Sequence, residues 1–207
     1  MILSEIEFHI LEALTCKVRV LSRDQILRAW HESDSCQLLE SIERLMSAKL
    51  VQMQMWEVVV PDTKRTPLFT WKPNQSEPDT WQISEKAKER WRRKRSTVFA
   101  YQATALAGRF FGARCGKLIR TTERQHDLLL SEVFVDYVRS MPELAERWYG
   151  EDVVPPAPYG VKNPDAFLFD EEFQPRRVIE SAGAYSQRQV KSFHRYCRVS
   201  NLPYELW

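Results

Sequence analysis

The spacing of apolar positions predicts three short helices in the first fifty residues. Apolar residues recur at helical intervals after Ser4, after Ser22 and across 36–48. Ser4 with Glu7, and Ser22 with Gln25, match the capping box, in which two side chains three residues apart bond each other's backbone N–H groups. We therefore expect two well-defined helix starts, followed by a third helix before the first strand.

Two strand-like runs follow, at 51–60 and 66–71. The segment between them, Pro-Asp-Thr-Lys-Arg, is typical of a turn, so we expect a β-hairpin with a basic tip. Three helices and a hairpin form the order of a winged helix-turn-helix, whose third helix enters the major groove and whose hairpin touches the DNA backbone. Lys64 and Arg65 at the tip are candidate backbone contacts. The predicted third helix, however, carries no net positive charge, so a winged helix that docks on protein is an alternative.

The net charge of +2 hides a strong segregation of charge along the chain. Residues 84–124 carry a net charge of +9, and residues 125–175 carry −8. Seven basic residues lie between 86 and 95, on a predicted helix that could neutralise phosphates. The candidate DNA-binding side chains there are Arg90, Arg92, Arg93 and Arg95. The alternative is a solvated helix face that pairs with the acidic segment.

Composition restricts the class of protein further. The longest uncharged stretch, 96–108, is too short to span a bilayer as a helix, so we expect no membrane partner. Two glutamates near the N-terminus do not suit a secretory signal, which favours a cytoplasmic protein. The four cysteines form no C-x-x-C pair, so neither a disulfide framework nor a zinc ribbon is indicated.

A second hairpin is predicted near the C-terminus, from strand-like runs at 163–170 and 176–183. With the turn at 170–175, Asp165 lies opposite Glu180. The same pairing places Phe167 opposite Val178 and Phe169 opposite Arg176. Like charges that face each other across a ladder repel, unless a cation, a proton or another register relieves them.

A bound divalent cation is one way to relieve this repulsion, because Mg²⁺ and Mn²⁺ prefer carboxylate oxygens. Asp165 and Glu180 would be two ligands, and Glu132 or Glu123 from the preceding helix is a candidate for the third. Lys191 on the following helix could reach the same place. No cofactor is required by any other motif in the sequence.

These motifs carry a resemblance to known proteins. The helix-strand-turn-strand-helix order with Pro164-Asp165 and Glu180 resembles the PD-(D/E)xK nuclease core. The whole chain is similar to the replication-relaxation family of plasmid and mobile-element proteins, through His126-Asp-Leu-Leu-Leu, Pro164-Asp-Ala, Glu180-x-x-Gly and Lys191-x-x-x-x-Tyr. We thus expect an α+β protein with an N-terminal winged helix-turn-helix and a C-terminal α/β restriction-endonuclease-like domain. The expected divisions are 1–80, a basic helical connector over 81–121, and 122–207.

The resemblance implies a metal-dependent nuclease chemistry that this sequence does not fully match. A nuclease of that class needs two acids for the metal and a lysine two positions after the second acid, where this chain has Ala182. We therefore expect a DNA-binding protein that acts in replication or its control, with DNA and a replication protein as partners and a degenerate core. One alternative is a Mg²⁺- or Mn²⁺-dependent endonuclease that uses Asp165, Glu180 and Lys191. Another is an assembly protein whose winged helix forms a homodimer.

Overall fold

The protein has a mixed α+β fold, as the sequence predicts. Its structure, a computed structural model, describes residues 2–60, 65–91, 94–155 and 163–207. The helices are α1 (Glu5–Glu12), α2 (Arg23–Ala29), α3 (Ser35–Ser47), α4 (Thr80–Glu89), α5 (Ala105–Phe111), α6 (Arg124–Ser140), α7 (Pro142–Glu146) and α8 (Gln187–Val199). The strands are β1 (Leu21–Ser22), β2 (Val51–Val59), β3 (Phe69–Trp71), β4 (Arg95–Ala103), β5 (Trp148–Gly150), β6 (Ala166–Phe169), β7 (Pro175–Glu180) and β8 (Tyr204–Leu206). A π-helical turn, Ala13–Lys17, continues α1.

The three predicted N-terminal helices are confirmed, and local capping explains where they begin. Both capping boxes form, at Ser4 with Glu7 before α1 and at Ser22 with Gln25 before α2. Asp34 caps α3 by accepting backbone N–H bonds from two residues of its first turn. These caps satisfy N–H groups that have no partner inside a helix.

A first sheet has the strand order β1-β4-β2, with antiparallel neighbours. The β2–β4 ladder runs from Val51 opposite Ala103 to Val59 opposite Arg95. The helices α1, α2 and α3 pack at the Val51 end of this ladder, where their apolar side chains share a core with Val51 and Tyr101. The other end of the ladder lies toward the basic segment of the chain.

A second sheet has the order β3-β8-β7-β6-β5. The β7–β8 pair is parallel, and the other neighbouring pairs are antiparallel. Successive residues of β7 face opposite sides of the sheet, as strand geometry requires. Ile179 packs in the core that contains Val133 of α6, whereas Val178 packs in the cluster that contains Val190 of α8. Thus α6 and α8 cover opposite faces of the sheet, and α6 shares one core with α1, α2 and α3.

The predicted hairpin between 51–60 and 66–71 was wrong. β2 pairs with β4, and β3 instead pairs with β8 in the second sheet. Burial explains this partner, because Trp71 of β3 stacks on Tyr204 of β8 with ring centroids 5.8 Å apart. The predicted basic tip therefore does not join paired strands, and Lys64 lies outside the described residues.

The segment 81–121 was expected to be a helical connector, but its structure is mixed. It contains most of α4, all of α5, and β4, the central strand of the first sheet. β4 is exposed at its start, from Arg95 to Thr97, and buried over its last four residues, where the first sheet meets the core. Of the basic residues here, Arg90 is therefore positioned by the end of α4 and Arg95 by β4.

The register of the C-terminal hairpin is confirmed at Phe167 opposite Val178. A shift between Leu168 and Phe169 places Phe169 opposite Pro175 instead of Arg176, so that part of the prediction was wrong. The extra residue is a β-bulge next to the turn. Asp165 and Glu180 lie just beyond the last pair of this ladder, at its opposite end.

Across the described ranges, the helices include none of the length and hydropathy needed to cross a membrane.

Candidate functional site

The two predicted core acids meet where β6 begins and β7 ends. Asp165 is 2% exposed and Glu180 is 3% exposed. The backbone N–H of Asp165 donates to Glu180 Oε2 over 3.0 Å, and the backbone N–H of Ser181 donates to Asp165 Oδ2 over 2.8 Å. These reciprocal bonds relieve the expected repulsion, because each acid accepts a hydrogen bond from the backbone beside the other.

Tyr185 completes the surroundings of Glu180. Its hydroxyl donates a short hydrogen bond to Glu180 Oε1. Burial, together with the neighbouring charges of Glu180 and Asp165, raises the pKa of the Tyr185 hydroxyl far above its ordinary value. Tyr185 therefore remains a hydrogen-bond donor, and both oxygens of Glu180 have protein donors.

His126 lies between two carboxylates at the N-terminal end of α6. Its Nε2 is 3.0 Å from Asp165 Oδ2, and its Nδ1 is 3.0 Å from Asp127 Oδ1. Burial by itself disfavours the charged ring, but the charges of Asp165 and Asp127 and their hydrogen bonds outweigh it and raise the His126 pKa well above 6.5. The ring is thus a cation at neutral pH, and it compensates two buried acids.

Arg19 extends this network toward the first sheet. Its guanidinium lies 3.3 Å from Asp127 and 3.7 Å from Glu151, with Glu123 and Asp152 within 3.9 Å. Burial of Asp152 raises the pKa of its carboxyl group, and Arg19 partly offsets that effect. One cation therefore holds four carboxylates from two segments of the chain, the start of α6 and the residues after β5.

A close backbone approach places Arg19 among these acids. A Cβ atom at Gly150 would lie 2.5 Å from the carbonyl oxygen of Lys17, so a larger residue there would push the two segments apart. The indole N–H of Trp148 also donates to this carbonyl over 2.9 Å. β5 is thus attached to the turn that precedes Arg19.

The third predicted metal ligand, Glu132, is not brought to the other two. Arg28 donates to both of its carboxylate oxygens over 2.6 Å, and Gln25 donates a further bond over 3.1 Å. Glu132 lies six residues after His126 on α6, which is about 9 Å along the helix axis. Its carboxylate therefore joins α6 to α2.

The arrangement of these acids does not fit a divalent metal. At least three of the four oxygens of Asp165 and Glu180 accept bonds from protein groups, whereas Mg²⁺ or Mn²⁺ requires several available oxygen ligands. Within the parts of the chain that the structure describes, no group of three or more His, Cys, Asp or Glu side chains could hold a metal ion. The site instead has His126 as its resident cation.

The predicted catalytic lysine is also displaced from the acids. Lys191 is exposed on α8 and is not among the residues that line the groove above Glu180. The helix places Ser192 and Tyr196 on that groove, and Lys191 lies on a neighbouring face. Ala182, at the position where a nuclease of this class has its lysine, is completely buried.

The predicted DNA-binding residues divide into three groups. Lys64, Arg92 and Arg93 lie outside the described residues. Arg65 is exposed and lies 4.0 Å from Asp136. Arg95 is exposed at the end of the β2–β4 ladder, and Lys94 just before it is also exposed.

Unlike Arg19 and Arg28, Arg90 has no carboxylate counter-ion in the described part of the chain. It is the C-cap of α4 and is half-buried, and among the described residues it makes neither an ion pair nor a side-chain hydrogen bond. Burial lowers the pKa of Arg90 to about 10. The nearby Trp91 has a buried indole N–H with no acceptor in the described part of the chain.

The roles of His126, Arg19 and Tyr185 were missed by the sequence reasoning. In the sequence His126 stands out only through its motif with Asp127, and no pattern marks Arg19 or Tyr185 as partners of the acids. The only sequence signal was the pair His126-Asp127 at the start of an apolar helix, because the other contacts join distant segments.

Comparisons of the chain with protein-family models, with curated proteins and with solved structures found no match.

Proposed function

We propose that this chain is a DNA-binding protein of the replication-relaxation type, with a winged helix and a nuclease-like core that does not cut DNA. The observation that carries the proposal is the guanidinium of Arg90, which has no ion pair among the described residues and precedes the exposed Lys94 and Arg95 in the chain. A half-buried cation without a counter-ion is suited to an external anion, and DNA presents a continuous line of phosphates. We call Arg90, Lys94 and Arg95 the ladder-end cations, after the β2–β4 ladder.

The order of the N-terminal elements supports the winged-helix part of the proposal. α1, β1, α2 and α3 are followed by β2, which forms a long antiparallel ladder with β4, and the chain passes through β3 and α4 between these two strands. This ladder would take the place of the wing. Arg95 lies at the end of this ladder that is distant from α1, α2 and α3, and Lys94 directly precedes it. Such a position suits contact with the backbone of a duplex whose groove the module faces.

The ladder-end cations, and not α3, supply the proposed phosphate contacts. The exposed face of α3 carries Glu40 and Glu43, and its Arg44 lies 3.0 Å from the buried Glu7. An anionic backbone has little attraction for such a helix. We therefore infer binding that depends mainly on phosphates and only weakly on base sequence.

The C-terminal elements support the nuclease-like part of the proposal. α6 is followed by the antiparallel strands β5, β6 and β7, then by α8 and the parallel strand β8. The buried Ala182 and the hydrogen-bonded Glu180 support a core that keeps this architecture without metal-dependent cleavage. The core would then position the chain on DNA or on a replication protein of a plasmid or mobile element.

Neutralising the ladder-end cations is expected to reduce the salt dependence of duplex binding. Each phosphate contact contributes about −0.9 to the slope of log K against log salt concentration. The double variant Lys94→Gln and Arg95→Gln should lower the size of that slope by about 2, and Arg90→Gln should lower it by about 1. Fluorescence anisotropy of a labelled duplex at a series of NaCl concentrations measures these slopes.

The matched control changes the same charge at a distance. Arg109 on α5 and Arg139 near the end of α6 are exposed, so Arg109→Gln with Arg139→Gln should leave the slope unchanged. Equal slopes for the wild type, this control and the Lys94→Gln, Arg95→Gln double variant would place the phosphate contacts elsewhere and contradict the proposal.

An exposed apolar patch favours the assembly protein as a second candidate function. Met53, Met55 and Phe99 lie on one face of the β2–β4 ladder, and their exposed fractions are 40%, 67% and 40%. Exposed apolar patches often mark protein interfaces. This candidate requires a stable oligomer in light scattering together with no salt-dependent binding to DNA.

A further inference from the structure

A groove of about 500 Å³ runs along α8 on the second sheet. Its walls include Asn163, Tyr185, Gln189, Phe193, Arg195 and Tyr196. α8 supplies most of these residues, because positions three and four apart lie on the same helix face. The groove is therefore built on a regular element with fixed side-chain spacing.

Three aromatic rings of the groove are partly exposed to solvent. Tyr185 is fixed by its bond to Glu180, and Phe193 packs edge-on against Tyr204 with ring centroids 4.9 Å apart. Tyr196 is half-buried one helical turn after Phe193. Rings that are held in place and still accessible offer flat surfaces for stacking.

A stripe of cations borders the aromatic groove. Arg188, Lys191 and Arg195 are exposed at i, i+3 and i+7 on α8, which contains no Asp or Glu. Among the described residues, none of these three side chains makes an ion pair or a hydrogen bond. Arg198 differs, because it is paired with Glu77 over 2.6 Å. The stripe is thus available for an anionic ligand.

The floor of the groove does not oppose such a ligand strongly. Glu180 is 3% exposed, and its two oxygens accept bonds from Tyr185 and from the backbone of Asp165. The neighbouring acid, Asp165, lies 3.0 Å from the His126 ring, which compensates its charge. The accessible surface of the groove is therefore mainly aromatic, with positive charge at its edge.

We propose that this groove binds a single strand of DNA. Unpaired bases can stack on exposed aromatic rings, whereas the bases of a duplex are already stacked on each other. The cationic stripe would contact the phosphates of the same strand. This inference rests on the proposed function and specifies its substrate, DNA that carries an unpaired strand next to a duplex.

The test measures binding of the full-length chain to two labelled probes. One probe is an oligothymidylate of about 12 nucleotides, within the range of known single-strand sites. The other is a blunt-ended duplex. Tyr196→Leu removes the aromatic face, and we expect it to weaken binding to the oligothymidylate roughly tenfold with duplex binding unchanged. Tyr196→Phe keeps the ring and should retain the wild-type affinity for both probes.

The double variant Lys94→Gln with Arg95→Gln distinguishes a failure of this inference from a failure of the proposed function. It should weaken duplex binding and leave oligothymidylate binding nearly unchanged. If the wild type binds the single strand but not the duplex, only the proposed phosphate contacts of the ladder-end cations are contradicted. Equal effects of Tyr196→Leu and Tyr196→Phe, or no oligothymidylate binding by the wild type, would overturn the groove site. Displacement of the strand by polyglutamate at equal charge concentration would also overturn it, since an acidic peptide would then suffice.

Discussion

Arg19→Met is expected to lower the free energy of unfolding by about 3 kcal/mol, because it leaves partly buried carboxylates without their shared cation. Asp127 is 5% exposed in its side chain, and Arg19 Nη1 lies 3.3 Å from it. Methionine keeps much of the apolar stem but none of the charge. The loss should appear as a lower midpoint in urea denaturation, followed by tryptophan fluorescence.

Arg120→Met is the matched control for this prediction. Arg120 also lies near Glu123, at 3.8 Å, but its side chain is 82% exposed. A surface pair of this kind contributes at most about 1 kcal/mol, so the control should unfold close to the wild-type midpoint. Similar losses for the two variants would mean that Arg19 does not hold the buried acids.

His126→Gln is expected to cause a comparable loss, about 3 kcal/mol at mildly acidic pH. Glutamine can donate a hydrogen bond, but it cannot compensate the charges of both Asp165 and Asp127. The exposed His31 provides the matched control, since His31→Gln should leave stability unchanged. Urea denaturation of the three proteins measures the difference.

The effect of His126→Gln should depend on pH in a defined direction. The folded-state pKa of His126 is raised, so its stabilisation is complete below the unfolded value of about 6.5. It is then lost as pH rises through the folded-state pKa, at no more than about 1.4 kcal/mol per pH unit. The wild type should approach the variant at alkaline pH. A difference that grows with pH would show that the ring is bound neutral.

Local structure was predictable from the sequence, and strand pairing was not. The starts of α1 and α2 depend on side chains three residues apart, such as Ser4 and Glu7, so a single sequence contains the necessary information. The partner of β2 depends on which distant strand buries it better. β4 matches its full length, whereas β3 is short and packs its Trp71 against Tyr204.

The candidate site divides in the same way. The approach of Asp165 and Glu180 follows from a hairpin register, and the register at Phe167 is the one that the sequence predicts. The cation beside them comes from α6, and its position depends on how a helix packs across the sheet. The sequence pattern therefore indicated a metal, where the fold places His126. The departure at Ala182 was visible in the sequence and is consistent with that arrangement.

The most direct test of the central claim is duplex binding by the wild-type chain across a series of NaCl concentrations. The DNA should also be recovered on a denaturing gel after incubation with Mg²⁺ or Mn²⁺. Three phosphate contacts from the ladder-end cations predict that log K falls with log salt concentration with a slope of about −2.7 or steeper. The DNA should remain uncut. No binding at low salt, or cleaved DNA that becomes intact with Asp165→Ala, would contradict the account.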